Sequence, residues 1–330
     1  MHLAHGSSSW LALFISLAAC QGGGGEADNA EQSGGAGGQV ENVGGEAGGA
    51  PPQSEGGAGG EARLDAMPAA KQDASAPAPD GSTKADAMVV GAGGANGSCK
   101  ARICDDFEAH TVDQVPSAPW KPFRLGGTVV VDNQRAWSGK NSIHAFTSGG
   151  ATQQRAYLSL QGAPVFDKPW PIMFGRMMLW VDHAVDAHWS HVEGEGRVVG
   201  KDFRAVTRYG GQFKRLIAQY DDVDGNFESD CAKRAPAVAM PEKKWVCYEW
   251  QFDSTKNAMR LWIDGQAIDA VSVNGRGETC LGNGTGGNWY LPQYEAIRMG
   301  WQNYQQVSGA DVWIDDVAIG TERIGCPASR

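Results

Sequence analysis

Residues 258–271 read Ala-Met-Arg-Leu-Trp-Ile-Asp-Gly-Gln-Ala-Ile-Asp-Ala-Val, which is two β-type runs on either side of Asp264-Gly265. Asp-Gly between apolar runs is the strongest short-range signal for a β-hairpin. We therefore predict strands at 258–263 and 267–271. Four more runs of β-type composition lie at 127–132, 142–146, 173–180 and 245–252. The sequence shows no long amphipathic helix pattern, so residues 98–330 are predicted to form one all-β sandwich.

The first 97 residues lie outside this predicted domain. Residues 10–20 form a short apolar run that ends in small residues, as in a secretory signal peptide. The run ends in Leu-Ala-Ala-Cys20, which resembles a bacterial lipobox and predicts lipidation of Cys20; Gln21 after it favours the outer membrane. The alternative is a signal peptide cut without lipidation. Residues 21–97, rich in Gly, Ala, Glu, Ser and Pro, are predicted to be a disordered tether.

The charge is concentrated in the tether. The chain has a formal net charge of -10, and residues 21–97 hold 11 acidic and 3 basic residues, a net of -8. Residues 1–20 hold no Asp, Glu, Lys or Arg, so the domain carries the remaining -2. A nearly neutral domain argues against a nucleic-acid surface. We therefore expect no nucleic-acid partner, membrane contact through the lipid anchor only, and a monomer.

Six cysteines lie in the domain. An even number in an exported chain indicates three disulfides, with fifteen possible connectivities. A zinc site is the alternative, but the spacings contain no CxxC pair. We predict the pairs Cys99–Cys104, Cys231–Cys280 and Cys247–Cys326.

Two acidic runs bracket the domain, Asp-Asp-Phe-Glu at 105–108 and Trp-Ile-Asp-Asp-Val at 313–317. Carboxylates set into apolar strands cost free energy unless they find a partner. These runs are therefore predicted to meet each other, a metal ion or a substrate.

An ordered set of short motifs carries a family resemblance. The motifs are the two acidic runs, Gly-Thr-Val at 127–129, Trp-Ser-Gly-Lys-Asn-Ser at 137–142, Arg-Tyr-Gly-Gly-Gln at 208–212, Cys-Tyr-Glu at 247–249, the stretch 300–304, and Arg-Ile-Gly-Cys at 323–326. Together they resemble the fungal cellulose-induced proteins, which are similar in turn to the glucuronan lyases. The resemblance implies a concanavalin A-like β-jelly-roll sandwich with a concave cleft. The chain departs from the family at Val206, where the family has a histidine, and across 213–244.

The resemblance also implies a structural calcium ion that joins the first strand to the last. The matching ligands are the side chains of Glu108 and Asp315 and the backbone carbonyls of Ser138 and Asn141. Calcium takes six to eight oxygen ligands and accepts carboxylates and carbonyls together. The alternative is that both carboxylates are solvated or accept hydrogen bonds from loop amides. A second acidic loop, 221–225, is interpreted as a solvated turn, with a cation site as the alternative.

The strand at 208–212 is predicted to line the cleft. Arg208, Gly210 and Gln212 share one face of an extended strand. A guanidinium and an amide can hold a sugar carboxylate, which makes the C5 proton of a uronic acid acidic enough for β-elimination. The resemblance places His191 and Tyr304 at the cleft, with His191 as the base and Tyr304 as the acid, or with Tyr304 in both roles. The alternatives are an Arg208 bonded to a neighbouring Glu, a surface histidine and an ordinary strand tyrosine.

Aromatic residues supply a further hypothesis. Tyr209, Trp289, Tyr290 and Trp301 are candidate platforms for sugar stacking, although a place in the core is expected for most tryptophans. The resemblance and the cleft residues together predict a cell-surface lipoprotein that acts on uronic-acid-containing polysaccharide by β-elimination. Two alternatives are a non-catalytic carbohydrate-binding module and a glycoside hydrolase that uses Glu193 and Glu195.

Overall fold

Two antiparallel β-sheets packed face to face form the domain. The computed structural model describes residues 99–327, apart from residues 100, 224–228 and 283. The predicted signal run, Cys20 and the tether lie outside the described residues. Within the described part of the chain, no helix has the length and apolar character that a bilayer crossing requires.

Seventeen strands occur in the described residues. In chain order they are β1 Ile103–Asp105, β2 Lys121–Leu125, β3 Gly127–Asp132, β4 Ser142–Gly149, β5 Gln154–Gln161, β6 Ile172–Val181, β7 His188–Arg197, β8 Arg204–Gln212, β9 Arg215–Asp222, β10 Asp230–Ala239, β11 Trp245–Asp253, β12 Ala258–Ile263, β13 Gln266–Ala267, β14 Val273–Asn274, β15 Thr279–Leu281, β16 Gln293–Asn303 and β17 Ser308–Gly320. A short 3-10 helix, Asp269–Val271, is the remaining element of this part of the chain.

The strands divide into two sheets. Sheet I has the spatial order β13-β12-β11-β6-β17-β4-β3, with β1 paired to β17 and β14 paired to β12; sheet II has the order β15-β10-β9-β8-β7-β16-β5-β2. Side chains that alternate along each strand fill the space between the sheets. For example, Tyr209 of β8 stacks on Phe252 of β11 with ring centroids 5.8 Å apart. This arrangement is the predicted jelly-roll sandwich.

The predicted hairpin at Asp264-Gly265 is present, with a shorter second strand. Asp264 and Gly265 adopt positive φ angles of 50° and 78°, as a tight two-residue hairpin turn requires. The predicted strand 267–271 is wrong beyond Ala267. The chain leaves the sheet as the 3-10 helix, buries Val271, and returns to β12 as β14.

The three disulfides join the predicted pairs, Cys99–Cys104, Cys231–Cys280 and Cys247–Cys326. Cys231 and Cys280 lie directly opposite each other on β10 and β15. Cys326 follows the last strand and is bonded to β11, so the C-terminal segment is fastened to sheet I. The first strand is held on the same sheet, because β1 pairs with β17.

Candidate functional site

The outer face of sheet II carries polar side chains from six neighbouring strands, β10, β9, β8, β7, β16 and β5. On β8 the predicted alternation holds: Tyr209 faces the core, whereas Arg208 lies on the outer face. Gly210 is required by the backbone, because a Cβ at this position would lie 2.1 Å from the carbonyl oxygen of Trp189.

A chain of ion pairs crosses this face, and we call it the charge ladder. In order, its members are Glu295, Arg204, Glu195, Arg298, Glu193, Arg208 and Asp221. The nitrogen–oxygen distances include 2.6 Å for Glu295–Arg204, 2.7 Å for Glu195–Arg298 and 2.6 Å for Arg298–Glu193. The strand register sets this order, because Arg208, Glu193 and Arg298 lie opposite one another on β8, β7 and β16.

A cleft of about 280 Å³ runs along the ladder. Besides ladder residues, it is lined by Phe123, Arg155, Val206, Val223 and Gln302. The guanidinium groups of Arg155 and Arg298 both lie 4.3 Å from the Phe123 ring centroid, and the Arg155 Nε donates to the Gln302 Oε1 at 3.0 Å. Val206, the position at which the family has a histidine, lines the cleft with an apolar side chain.

A histidine and a tyrosine form a stacked pair on the same face. The rings of His188 and Tyr304 have centroids 4.4 Å apart with planes inclined by 23°. The Tyr304 hydroxyl lies 3.0 Å from the Ser190 hydroxyl, which lies 2.6 Å from the Tyr157 hydroxyl. The side-chain amide of Gln219 contacts the His188 Nε2. This cluster brings together an imidazole, a phenol and two further hydroxyls.

Burial shifts the titration of both rings. Burial lowers the pKa of His188 to about 4, and the positive charge of Arg208 acts in the same direction. Burial raises the pKa of Tyr304 to about 12, against the opposing effect of the Arg208 charge. At neutral pH the pair is therefore a neutral imidazole beside a protonated phenol, which can accept and donate a proton respectively.

The prediction that His191 faces the cleft is wrong. The pairing of β7 with β8 is irregular between Ser190 and Val192, so His191 and Val192 are both buried. The His191 ring packs edge-on against Tyr248 of the opposite sheet, with centroids 4.7 Å apart. Burial lowers the pKa of His191 to about 3. A bulge of this kind cannot be located from strand periodicity. It leaves His188, opposite Gln212 in the pairing of β7 with β8, rather than His191 on the face that carries the charge ladder.

Three of the four predicted stacking residues lie in the core. Tyr209, Trp289 and Trp301 have 0% exposure. Trp301 stacks on Trp189 with ring centroids 4.5 Å apart. Tyr290 is half-buried, with the Lys201 ammonium 4.6 Å from its ring centroid. The prediction of stacking platforms is therefore wrong for the first three.

The carboxylates proposed for a hydrolase are engaged with arginines. Glu193 contacts both Arg208 and Arg298, and Glu195 contacts both Arg204 and Arg298. The pKa of Glu195 is lowered, because two arginines outweigh the effect of burial. A general acid in a glycosidase needs a raised pKa, so this geometry does not support the hydrolase hypothesis.

Several polar residues of this face were not singled out by the sequence analysis. The interpretation of 221–225 as a solvated turn is wrong for Asp221, which is on β9 and contacts Arg208. The pKa of Asp230, opposite Asp221, is raised to about 6 by burial and by the Asp221 charge. Arg234 of β10 donates from Nε to the Gln212 Oε1 at 3.3 Å. With Gln219, these residues come from the segment 213–244, and they are identified by the register of β9 against β8 and of β10 against β9.

The acidic runs at the two ends of the domain hold one loop. The Glu108 Oε1 accepts from the backbone N–H groups of Lys140 and Asn141, both at 2.7 Å, and the Asp315 Oδ2 accepts from the Ser138 N–H at 3.0 Å. We call Glu108 and Asp315 the terminal clamp. These contacts match the alternative in which loop amides satisfy the carboxylates.

The terminal clamp also has the donor chemistry that calcium requires. Burial and the charge of Asp316 raise the pKa of Asp315 to about 7, and burial raises the pKa of Asp106 nearby. In the described residues, three or more His, Cys, Asp or Glu ligand atoms do not converge here, so a cation would need backbone carbonyls as well. The carboxylates of Glu108 and Asp315 are oxygen donors of the kind that a hard divalent cation takes.

Comparisons with known proteins agree with this architecture. The family model described as "Cip1-like, core domain", of the Polysacc_lyase-like type, matches residues 106–322. The structure described as "Cellulose induced protein, Cip1" is similar at 21% identity, covering 68% of this chain and 100% of that chain, with a TM-score of 0.52.

Weaker similarity extends to an alginate lyase, A1-II′, of polysaccharide lyase family 7, at 11% identity over 57% of this chain and 83% of that chain, with a TM-score of 0.39. No curated protein matches. The family match confirms the resemblance predicted from the sequence motifs, and the similarity to the cellulose-induced structure confirms the predicted fold.

Proposed function

Because the chain belongs to the Cip1-like core-domain family of polysaccharide-lyase-like proteins, we propose that it cleaves a uronic-acid-containing polysaccharide by β-elimination. The observation that carries the proposal is the stacked pair of His188 and Tyr304 beside Arg208. The pair supplies a proton acceptor and a proton donor at one place on the cleft face. Both groups have the required protonation state at neutral pH.

The substrate carboxylate would bind at Arg234 and Gln212. Arg208, the residue first predicted for this role, already contacts Glu193 and Asp221. The guanidinium of Arg234 instead contacts neutral oxygens among the described residues, those of Gln212 and Thr279. Its positive charge contributes to the lowered pKa of His188, and Gln212 lies opposite His188 in the pairing of β7 with β8. Both observations support a carboxylate seat beside the base. Neutralising the carboxylate there makes the C5 proton acidic.

The elimination then uses His188 as the base and Tyr304 as the acid. The structure places the Gln219 amide nitrogen against the His188 Nε2. The amide oxygen and nitrogen are assigned rather than observed, and the proposal takes the orientation rotated by 180°, in which the Gln219 Oε1 accepts from Nε2–H. In that orientation the Nδ1 of His188 has the lone pair that takes the C5 proton. The electrons of the C5–H bond form the C4=C5 double bond, and the C4–O4 bond breaks. The Tyr304 hydroxyl gives its proton to the departing O4. The products are an unsaturated uronate and a new chain end.

A panel of uronate polymers, followed in the ultraviolet for the unsaturated product, tests this function. The wild-type protein should generate the product from at least one polymer. Tyr304→Phe should lower kcat by roughly 100-fold or more, because the proton donor is lost, while substrate binding is kept. Tyr290→Phe, at the half-buried tyrosine beside Lys201, is the matched control and should leave kcat unchanged. Wild-type protein that binds but eliminates from no polymer would instead support the carbohydrate-binding alternative.

Two further proposals complete this function. We propose that calcium binds at the terminal clamp through Glu108 and Asp315, supported by the backbone carbonyls of Ser138 and Asn141. The ion would supply only structural charge neutralisation there. We also propose that Cys20 carries a lipid that anchors the chain at the bacterial outer membrane, and that the domain acts as a monomer. The lipobox-like sequence supports the anchor.

A further inference from the structure

Building on the uronate chemistry proposed above, we infer that the cleft selects a polysaccharide in which one uronic acid lies among uncharged sugars, and that Glu195 sets this preference. The substrate is thus expected to be a sparsely charged heteropolymer. A polymer with a carboxylate on every sugar is expected to bind less well. The charge ladder is the structural basis.

Each arginine of the ladder has a carboxylate on both sides. Arg298 donates from Nη1 to Glu193 at 2.6 Å and from Nη2 to Glu195 at 2.7 Å. Arg204 donates from Nη2 to the other oxygen of Glu195 at 2.9 Å. The side chains of Glu193 and Arg298 are only 5% and 9% exposed. These mostly buried charges therefore neutralise one another.

The ladder carries no net positive charge of its own. It contributes three arginines and four carboxylates. Further cations lie on the same face outside the ladder, including Arg155, Arg197, Arg215 and Arg234. His188 adds no charge at neutral pH, because burial lowers its pKa to about 4. A polyanion lying along the ladder would meet no net positive charge from the ladder residues.

A second substrate carboxylate would also have to break a buried pair. To reach Arg298, it must displace Glu193 or Glu195, and the displaced carboxylate would be left buried without its partner. Sugar hydroxyls face no such cost, since a hydroxyl can donate to a carboxylate and accept from a guanidinium. The ladder therefore suits uncharged sugars, and the single carboxylate is directed to Arg234.

Glu195 is the residue through which the net charge of the ladder can be changed. It is the carboxylate that links Arg204 to Arg298, and its side chain is 21% exposed. Glu195→Gln keeps the shape, leaves Glu295 on Arg204 and Glu193 on Arg298, and changes the ladder from a net charge of one negative unit to neutral. The variant is expected to accept a more densely charged polymer.

The experiment measures binding in the full chain with Tyr304→Phe as the background, so that bound oligosaccharides are not cleaved. Calorimetry compares oligosaccharides of equal length with a uronate at every sugar, at every second sugar, or at none after carboxyl reduction. The alternating oligosaccharide should bind at least as tightly as the fully charged one. Glu195→Gln should raise the relative affinity for the fully charged one roughly tenfold. Glu295→Gln, which removes the terminal ladder acid, should shift the ratio in the same direction.

Glu322→Gln is the matched control, since it removes an exposed acid that follows the last strand of sheet I. Two results would overturn the inference: a wild-type preference of tenfold or more for the fully charged oligosaccharide, or ratios in both ladder variants equal to that of Glu322→Gln. Elimination by the wild-type protein is recorded separately. Elimination that is fastest on a homopolyuronate overturns the inference and leaves the proposed function standing. The predicted binding ratios without any elimination overturn the function and leave the preference standing.

Discussion

His191 is a buried base whose protonation should destabilise the domain. Replacing it with a residue that does not titrate should show how much stability this protonation removes. Its ring packs edge-on against Tyr248, and neither ring nitrogen has a hydrogen-bond partner among the described residues. Burial lowers its pKa from 6.5 to about 3 in the folded state. Between these values the unfolded chain binds a proton that the folded chain does not, so the free energy of unfolding falls as pH falls.

The magnitude follows from the shift. At about pH 4.5, two units below the unfolded pKa, each unit contributes about 1.4 kcal/mol, so protonation of the unfolded chain at His191 costs about 3 kcal/mol of stability. In His191→Leu this loss disappears. The change in packing is the same at both pH values, so the difference between them reports the titration alone. For a domain of this size the effect on Tm is roughly 6–12 °C.

Denaturant unfolding at about pH 7.5 and about pH 4.5 measures the effect. His188 also resists protonation, but it is present in both proteins and cancels in the comparison. His183→Leu is the control, because its side chain is 39% exposed. The reasoning is refuted if wild type and His191→Leu lose the same stability in acid, or if NMR titration gives His191 a pKa near 6.5. The variant should also keep its elimination activity, since His191 is outside the cleft.

Two other predictions concern the ends of the chain. A chelator should lower the Tm of the wild-type protein, and added calcium should restore it. In Glu108→Gln, which loses a carboxylate of the terminal clamp, the chelator should change the Tm much less. An unchanged wild-type Tm contradicts the calcium proposal. Metabolic labelling with a clickable fatty acid should mark the wild-type chain and leave Cys20→Ser unmarked, and absence of label on the wild type would exclude the anchor.

The fold could be predicted from the sequence because the turn signals and the hydrophobic pattern indicate the same strands. The strand at 127–132 has the predicted bounds, and Asp264-Gly265 forms the predicted turn. The alternation at 208–212 also placed Arg208 and Tyr209 on opposite faces. Period-two alternation works where a strand pairs regularly.

The site was harder to predict from the sequence, because its residues come together only through the pairing of different strands. The irregular pairing near Ser190 moves His191 into the core, and periodicity counted along the strand cannot reveal it. Asp221 and Arg234 belong to a segment that departs from the family, and the register of β9 against β8 and of β10 against β9 brings them to the face that carries the charge ladder. The aromatic residues were misassigned for another reason. Tyrosine and tryptophan occur both as sugar-stacking platforms and as core residues, and the sequence does not show which of them pack against the opposite sheet.

The attachment of both domain ends to sheet I has a practical consequence for measurement. β1 pairs with β17, and the segment after β17 is bonded through Cys326 to Cys247. The cleft lies on the outer face of the other sheet. An affinity tag or surface linker joined at either end of the domain would thus hold it by the sheet that takes no part in binding, and immobilised protein should keep its cleft open to dissolved polymer.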